Sequence, residues 1–480
     1  MINKRSLKQD HVYLQDLQAT IPTIENHLNG QIREEIEKHS NDEQRNEVEN
    51  ESLIIYKVYY DRRMNPPRFR ILANNQCTNV GPNLSFDGLT IRTVKVEAIE
   101  GECPWAWAPG CEWSAHHFLS EVFTGFPPNQ VNLTRNGKWV TVPVSRVPES
   151  YRDGYTICTA PLYWYSDWLR LILFFEISML HGATNFVMST HSVSRKVQIV
   201  LDFYKDKGIL SLRSWPLMPS SFLLDPNDSI YRLSHSLSHL DCTFRVDTKI
   251  ASLNDIDEFI IPRNGKAIDF FRKLFSNHSH YKGATFRHAE LRLFSNHSHY
   301  KGATFRHAEL RLFNPLRLEN TTRFDLSGLK NLTLLQHDGP GKAVFMPEYT
   351  RNLKTHQVSK YFNKKHRTLK VKKSDAILLH TRYNFREMSE KWLALDFPVN
   401  VFPSISSDHF VKRVDSVILK IFNGNRPEYS DLSNRLLGNC LKHWTEKQCK
   451  TPIHSCWEIL KPLDEWLFAD PQPDSRYYVL

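Results

Sequence analysis

An α/β fold is what the sequence predicts: a largely parallel sheet, preceded by a β-rich region and followed by a helical one. Three observations predict it. Strand and helix patterns alternate between residues 155 and 215, residues 53–98 read as strands broken by prolines, and an Asp-x-Asp pair follows the apolar run Ile250–Leu253. At 480 residues, with 41% hydrophobic and 12% aromatic side chains, the chain is a folded globular protein with length for two or three domains.

Taken in order, residues 1–52 read as a charged helical stem with little to bury. The β-rich region covers 53–150: Leu53–Tyr60 is a strand pattern, Pro66 and Pro67 break it, and Arg68–Leu72 and Leu89–Ala98 follow as strands. Trp105, Trp107 and Trp113 then mark a compact loop beside Cys103 and Cys111. The α/β region spans 151–400. Tyr155–Ala160 predicts a strand, Trp164–His181 a long core helix, Ala183–Ser189 a strand, Ser194–Lys207 a helix ended by Gly208, and Ile209–Trp215 a strand. Residues 401–480 turn helical again, through Asp408–Phe422 and Asp431–Trp444.

Asp255 and Asp257 leave the strand pattern at 250–253 and are followed by Glu258 and the apolar Phe259–Ile261. On a strand, residues i and i+2 point the same way, so both carboxylates are expected on one face. Like charges that close need neutralising, and hard oxygen ligands at this spacing suit Mg²⁺ or Mn²⁺ holding a substrate's phosphates. The bland alternative is a pair of turn or cap residues. An EF-hand is excluded, since no central Gly or closing Glu follows at the required offsets.

The formal charge of +10 is dispersed, with one dense stretch from Lys364 to Lys373. It reads as a solvated face or as a basic rim for nucleotide phosphates. Charge alone carries a nucleic-acid reading, and no recognised module accompanies it. The eight cysteines include Cys103 with Cys111 and the group Cys440, Cys449 and Cys456, spaced for loop-closing disulfides and not for zinc. Sequons at Asn50, Asn132, Asn227, Asn277, Asn296, Asn320 and Asn331 agree with an oxidising, secretory compartment. Against this, residues 1–50 are polar, and the apolar run Leu169–Leu180 is too short to cross a bilayer. Membrane attachment is expected through an anchor that this sequence does not show.

Leu274–Arg292 is followed at once by an identical 19-residue copy, Leu293–Arg311. Two copies cannot build a solenoid. One copy is expected to supply a strand, Ala284–Leu291 or Ala303–Leu310, while the other loops out. The histidines His278, His280, His297 and His299 merely double, and are not read as a metal site.

In order along roughly residues 53–400, several segments together resemble glycosyltransferase family 92. They are Val58–Arg63, Cys158–Tyr163, Glu176 with His181-Gly182-Ala183, Tyr204 with Gly208, Trp215, Asp241-Cys242, Asp255–Glu258 with Pro262, and His380-Thr381-Arg382. The last departs from the family's usual His-Tyr-Arg. The resemblance implies a GT-A fold binding a UDP-sugar, a metal bridging the Asp-x-Asp and the diphosphate, and inverting transfer of galactose to a glycan. It implies Asp255, Asp257 and His380 as metal ligands, with His356 in reserve. It places Asp241 at the nucleotide-sugar pocket, Cys158, Pro161 and Leu162 at the first strand and turn of the nucleotide fold, and Arg382 on a phosphate. The general base is left open among Glu258, Glu290, Glu309 and Asp338. A Golgi-lumenal enzyme is the leading expectation, and an inactive carbohydrate-binding relative the alternative. A hydrolase is disfavoured, because a strand-end Asp-x-Asp does not set two carboxylates across a sugar.

Overall fold

The first sheet is built from the residues that sequence patterning marks as strands. In the computed structural model, described residues are 48–49, 51–79, 84–87, 93–277, 281–286, 306–310, 334–338, 341–372, 374–380, 394–395, 401–430, 432–442, 449 and 452–480. Strands β1 (Ile54–Asp61), β2 (Arg68–Gln76), β3 (Ser85–Asp87), β4 (Thr93–Ala98), β5 (Trp113–Val122), β6 (Gln130–Arg135) and β7 (Lys138–Arg146) lie in the order β3-β6-β7-β1-β2-β5-β4. All of β1 is buried, as expected of the β-branched and aromatic IIYKVYYD at the centre of a sheet covered on both faces.

The second sheet carries the α/β alternation. It begins with β8 (Arg152–Cys158), helix α1 (Trp168–Leu180), β9 (Asn185–Thr190), β10 (Ser192–Ser194), α2 (Arg195–Asp206) and β11 (Leu210–Ser214). Asp167 caps α1 by accepting from the Arg170 backbone N–H, and nearly every α1 residue is buried, which makes it a core helix. Glu176, buried in its middle, accepts from Tyr204 Oη at 2.8 Å and Arg413 Nε at 2.6 Å. Gly182, at φ 92°, ends the helix where a Cβ would strike Ile268, so only glycine fits.

The chain continues through α3 (His235–Arg245), β12 (Thr248–Leu253), β13 (Glu258–Pro262), α4 (Ala267–Asn277), β14 (Tyr281–Phe286), β15 (Arg306–Leu310), β16 (Leu334–Asp338) and β17 (Lys342–Phe345). Strands β18 (Thr350–Lys354), β19 (Gln357–Tyr361), β20 (Arg367–Lys370), β21 (Ala376–His380) and β22 (Ala394–Leu395) follow. The seven-stranded sheet runs β11-β9-β8-β12-β17-β14-β20, and a five-stranded one runs β13-β21-β15-β16-β22. β11, β9, β8 and β12 are mutually parallel, but β17 is antiparallel to both β12 and β14. β14 and β20 pair parallel, so six of the seven strands point the same way and β17 alone runs against them: the fold is mixed α/β around a largely parallel sheet.

Two expectations change, on the repeat and on the disulfides, while the basic stretch takes its solvated reading. Both repeat copies supply a strand: β14 comes from the first copy and β15 from the second, in different sheets. The basic stretch falls on and around β20, an edge strand with Lys364, Lys365, Arg367 and Lys370 exposed. Charge there blunts an edge that would otherwise pair with another chain. Cys103 bonds Cys77 rather than Cys111, and Cys111 bonds Cys449; Cys158–Cys242 and Cys440–Cys456 complete the set. Spacing misled because partners distant in sequence lie on neighbouring elements.

Past residue 400 come helices α5 (Ser407–Ile421), α6 (Leu432–Lys442) and α7 (Pro452–Leu460). The chain then returns as strands, Trp466–Phe468 on β10 and Tyr478–Val479 on β1. Val48–Leu480 is one compact unit, and the predicted stem, residues 1–47 of it, lies outside the described residues. No helix among the described residues is long and apolar enough to cross a membrane. Asn227 is 2% exposed and hydrogen-bonded to Met218 and Asp225, so its sequon is closed to glycosylation.

Candidate active site

Strands β8 and β12 end side by side, where Asn254 N–H donates to the Cys158 carbonyl at 3.0 Å. The chain then turns. Asn254 Nδ2 donates to the Glu258 carbonyl, and Glu258 N–H donates back to the Asp255 carbonyl, which locks residues 254–258 between β12 and β13. Asp255 and Asp257 thus belong to a turn and not to a strand. The i, i+2 rule does not hold there, and their side chains find different partners.

Asp255 Oδ2 accepts from Lys342 Nζ at 2.9 Å, and the same ammonium lies 3.2 Å from Glu258 Oε2. Asp257 Oδ2 is 3.0 Å from His380 Nε2 and 3.8 Å from Arg170 Nη1. Register explains the His380 contact: β13 and β21 pair antiparallel with Glu258 opposite His380, which brings the histidine across from the turn.

The surroundings fix the protonation states. Burial pushes the Asp255 carboxyl up, but Lys342, aided by His235 and His239, overrides it and holds the group well below the usual carboxylate range. Lys342 is 3% exposed; burial alone would lower its pKa, and Asp255 with Glu258 raises it instead. Burial pushes Glu258 up, with Lys342 opposing. Burial lowers His239 to about 3 and His356 to about 4, Lys342 adding to both, so these rings are neutral. Arg232, held in the left-handed region at φ 45°, feels Tyr163, Tyr231, Asp255 and Asp257. The site is therefore three carboxylates met by Lys342, Arg170 and Arg232, rimmed by neutral imidazoles.

The other expected residues scatter. Cys158 is spent in its disulfide with Cys242, which pins β8 to α3. Leu162 N–H donates to Ser189, and both Leu162 and Pro161 are buried packing residues. Asp241 accepts from Tyr59 Oη at 2.5 Å and from Arg245 Nε at 2.6 Å. It is buried against β1, so the expected contact with a sugar-nucleotide pocket is replaced by a structural ion pair. His356 Nδ1 contacts the Gly341 carbonyl at 3.1 Å. Glu258 is 3% exposed, held by Lys342 and the Asp255 N–H, which suits a positioning role and not a base. Glu309 and Asp338 stand on β15 and β16, where Glu309 pairs with His380 in parallel register. Arg382, Glu290, His278, His280, His297 and His299 lie outside the described residues.

Of the three expected metal ligands, two come together. Imidazole and carboxylate donors 3.0 Å apart can share one ion, and this donor pair suits Mn²⁺. Asp255 does not join them, because Lys342 already neutralises it. Among the described residues, the one group of three donors converging within 4.8 Å is Asp225, Asp228 and His454, none of them an expected ligand. Sequence reasoning missed Lys342, Arg232 and Arg170. The sequence Gly339-Pro340-Gly341 just before Lys342 is a signal that could have pointed to it.

The sequence profile of Glycosyltransferase family 92 matches residues 153–416, from β8 into α5. No curated protein matches the chain. Among solved structures, the crystal structure of S. aureus TarS 1–349 is similar at 10% identity, over 48% of this chain and 60% of that one, with a TM-score of 0.24.

Proposed function

Because the chain belongs to glycosyltransferase family 92, we propose that it transfers a hexose, galactose first, from a UDP-sugar to a glycan acceptor with inversion, on a GT-A fold and with Mn²⁺. The observation that carries the reading is the meeting of Asp257 and His380 at 3.0 Å, within the matched region and at the ends of β8 and β12. Ligands of open α/β sheets bind at such carboxyl ends.

A divalent ion held by Asp257 and His380 would supply charge for the departing diphosphate. The protein's own cations do related work. Lys342 and Arg232 are fixed by buried carboxylates and tyrosines and need no reorganisation as negative charge grows on the leaving group. Thr159, one residue past β8, is buried with no hydrogen-bond partner for Oγ1 among the described residues, a ready contact for a nucleotide hydroxyl. Of the candidate bases, register favours Glu309, the strand neighbour of His380. Four disulfides support the Golgi lumen as compartment.

One observation favours a second reading, an inactive carbohydrate-binding relative: the Lys342 ammonium stands where Asp255 was expected to meet a metal. Calorimetry with Mn²⁺ and UDP, and UDP release from UDP-galactose with a fucosylated glycan, separate the two. Mn²⁺ binding and turnover should both vanish in Asp257→Ala and His380→Ala. Full turnover in both variants would sink the metal-assisted reading, and sugar binding without turnover under any donor would favour the second.

A further inference from the structure

Trp105 and Trp107 stack at 5.4 Å with ring planes 10° apart, and Trp107 keeps 54% of its surface exposed. Exposed stacked indoles are costly in water unless something covers them. Two contacts tie the pair to the carboxylate site. Trp107 meets the His356 ring at 5.3 Å, and Trp105 meets Tyr231 edge-on at 5.2 Å. Asp255 acts electrostatically on both His356 and Tyr231, so the indoles border the place where donor chemistry is proposed.

The loop is also rigid. Cys103 is bonded to Cys77 and Cys111 to Cys449, which fixes the chain on either side of the two tryptophans. Within it, Ala108 N–H donates to the Trp105 carbonyl and Ala106 N–H to Glu102. A braced loop loses little entropy when a ligand binds. The C–H bonds on one face of a pyranose carry partial positive charge, and the negative face of an indole attracts them.

We propose that Trp107, stacked on Trp105, is the platform on which the acceptor saccharide lies, with Tyr231 and His356 flanking it on the side of the reacting sugar. This rests on the transferase reading for the word acceptor, though not for the binding of sugar. The loop precedes the region matched by the family profile, so the β-rich part of the chain contributes acceptor choice while the α/β part holds the donor.

The test is saturation-transfer NMR with free oligosaccharides ending in galactose, N-acetylglucosamine, mannose or fucose, alongside UDP calorimetry on the same samples. Wild-type protein and Trp139→Ala, which removes an exposed indole on β7, should bind one of these sugars alike. Trp107→Ala should bind it roughly ten-fold more weakly, with Trp107→Phe between, and UDP affinity unchanged. Sugar affinity untouched in Trp107→Ala, or no sugar bound by the wild type, overturns the platform while UDP binding keeps the transferase reading alive. Sugar bound through Trp107 by a protein that binds no UDP does the reverse.

Discussion

Lys342 shows how one side chain sets the character of the site. Its ammonium is buried between Asp255 and Glu258 and offsets the negative charge of both. Asp255 is partly solvated, at 37% exposure, so replacing Lys342 should cost the lower end of what a broken buried pair costs. Lys342→Met is expected to lose about 3 kcal/mol in denaturant unfolding, with part restored by adding Glu258→Gln. A single variant as stable as the wild type would show that the pair is not coupled. Asp61 gives a second expectation. Burial pushes its carboxyl up, but Arg63 at 2.8 Å and Arg70 at 3.1 Å pull it down to about 2. A depressed carboxylate adds stability above its unfolded pKa of about 3.9, and that contribution of roughly 2 kcal/mol disappears as pH falls toward 2. The stability gap between wild type and Asp61→Asn should therefore narrow across that window; a gap constant from pH 5 to pH 2 would contradict it. Asp257 and His380 were legible from sequence as polar residues closing apolar runs. Lys342 and Arg232 were not, because a lone cation carries no pattern until folding surrounds it with carboxylates. Several residues behind the family resemblance prove to be pins: Tyr59 on Asp241, Tyr204 on Glu176, Cys158 on Cys242.

At the scale of elements, patterning located β1, β2, β4, β8, β9, β11, β12, α1, α2, α5 and α6 within a few residues, since several of them carry a period or a cap that local chemistry enforces, but it named none of β5, β6, β7, α3, α4, β17 to β20 or α7. Sheet order was not legible. Nothing local tells β17 to enter antiparallel between β12 and β14, because that choice depends on contacts made far along the chain. The repeat is the sharpest case. β14 uses YKGATF of the first copy and β15 uses RHAEL of the second, and in a single copy those two segments are adjacent. Removing residues 287–305, a stretch of 19, therefore leaves one intact copy with both strand sequences preserved. That shorter chain should fold with unchanged strand content by circular dichroism and a thermal midpoint no lower than the parent's. Loss of cooperative unfolding would mean that the inserted copy itself holds the two sheets.

For the whole molecule, the stitching is long-range. Tyr478–Val479 closes onto β1, Trp466–Phe468 closes onto β10, and Cys449 bonds Cys111, so residues after 440 are fastened both to the β-rich region and to the α/β region. This arrangement braces the tryptophan loop with the same bond that secures the C-terminal helices. In the chain-entropy account, a crosslink stabilises more the longer the loop that it closes. Cys111–Cys449 closes 338 residues and Cys440–Cys456 only 16, and that account puts their stabilisation at about 6 and about 3 kcal/mol. The double variant Cys111→Ser/Cys449→Ser should thus lose about 3 kcal/mol more than Cys440→Ser/Cys456→Ser in denaturant unfolding. Its loosened loop should also weaken saccharide binding while leaving UDP affinity in place, because the donor side is held separately by Cys158–Cys242. Equal losses in the two variants would mean that the β-rich region and the C-terminal helices are held together by packing alone, and a fall in UDP affinity would mean that the two halves of the site are not independent.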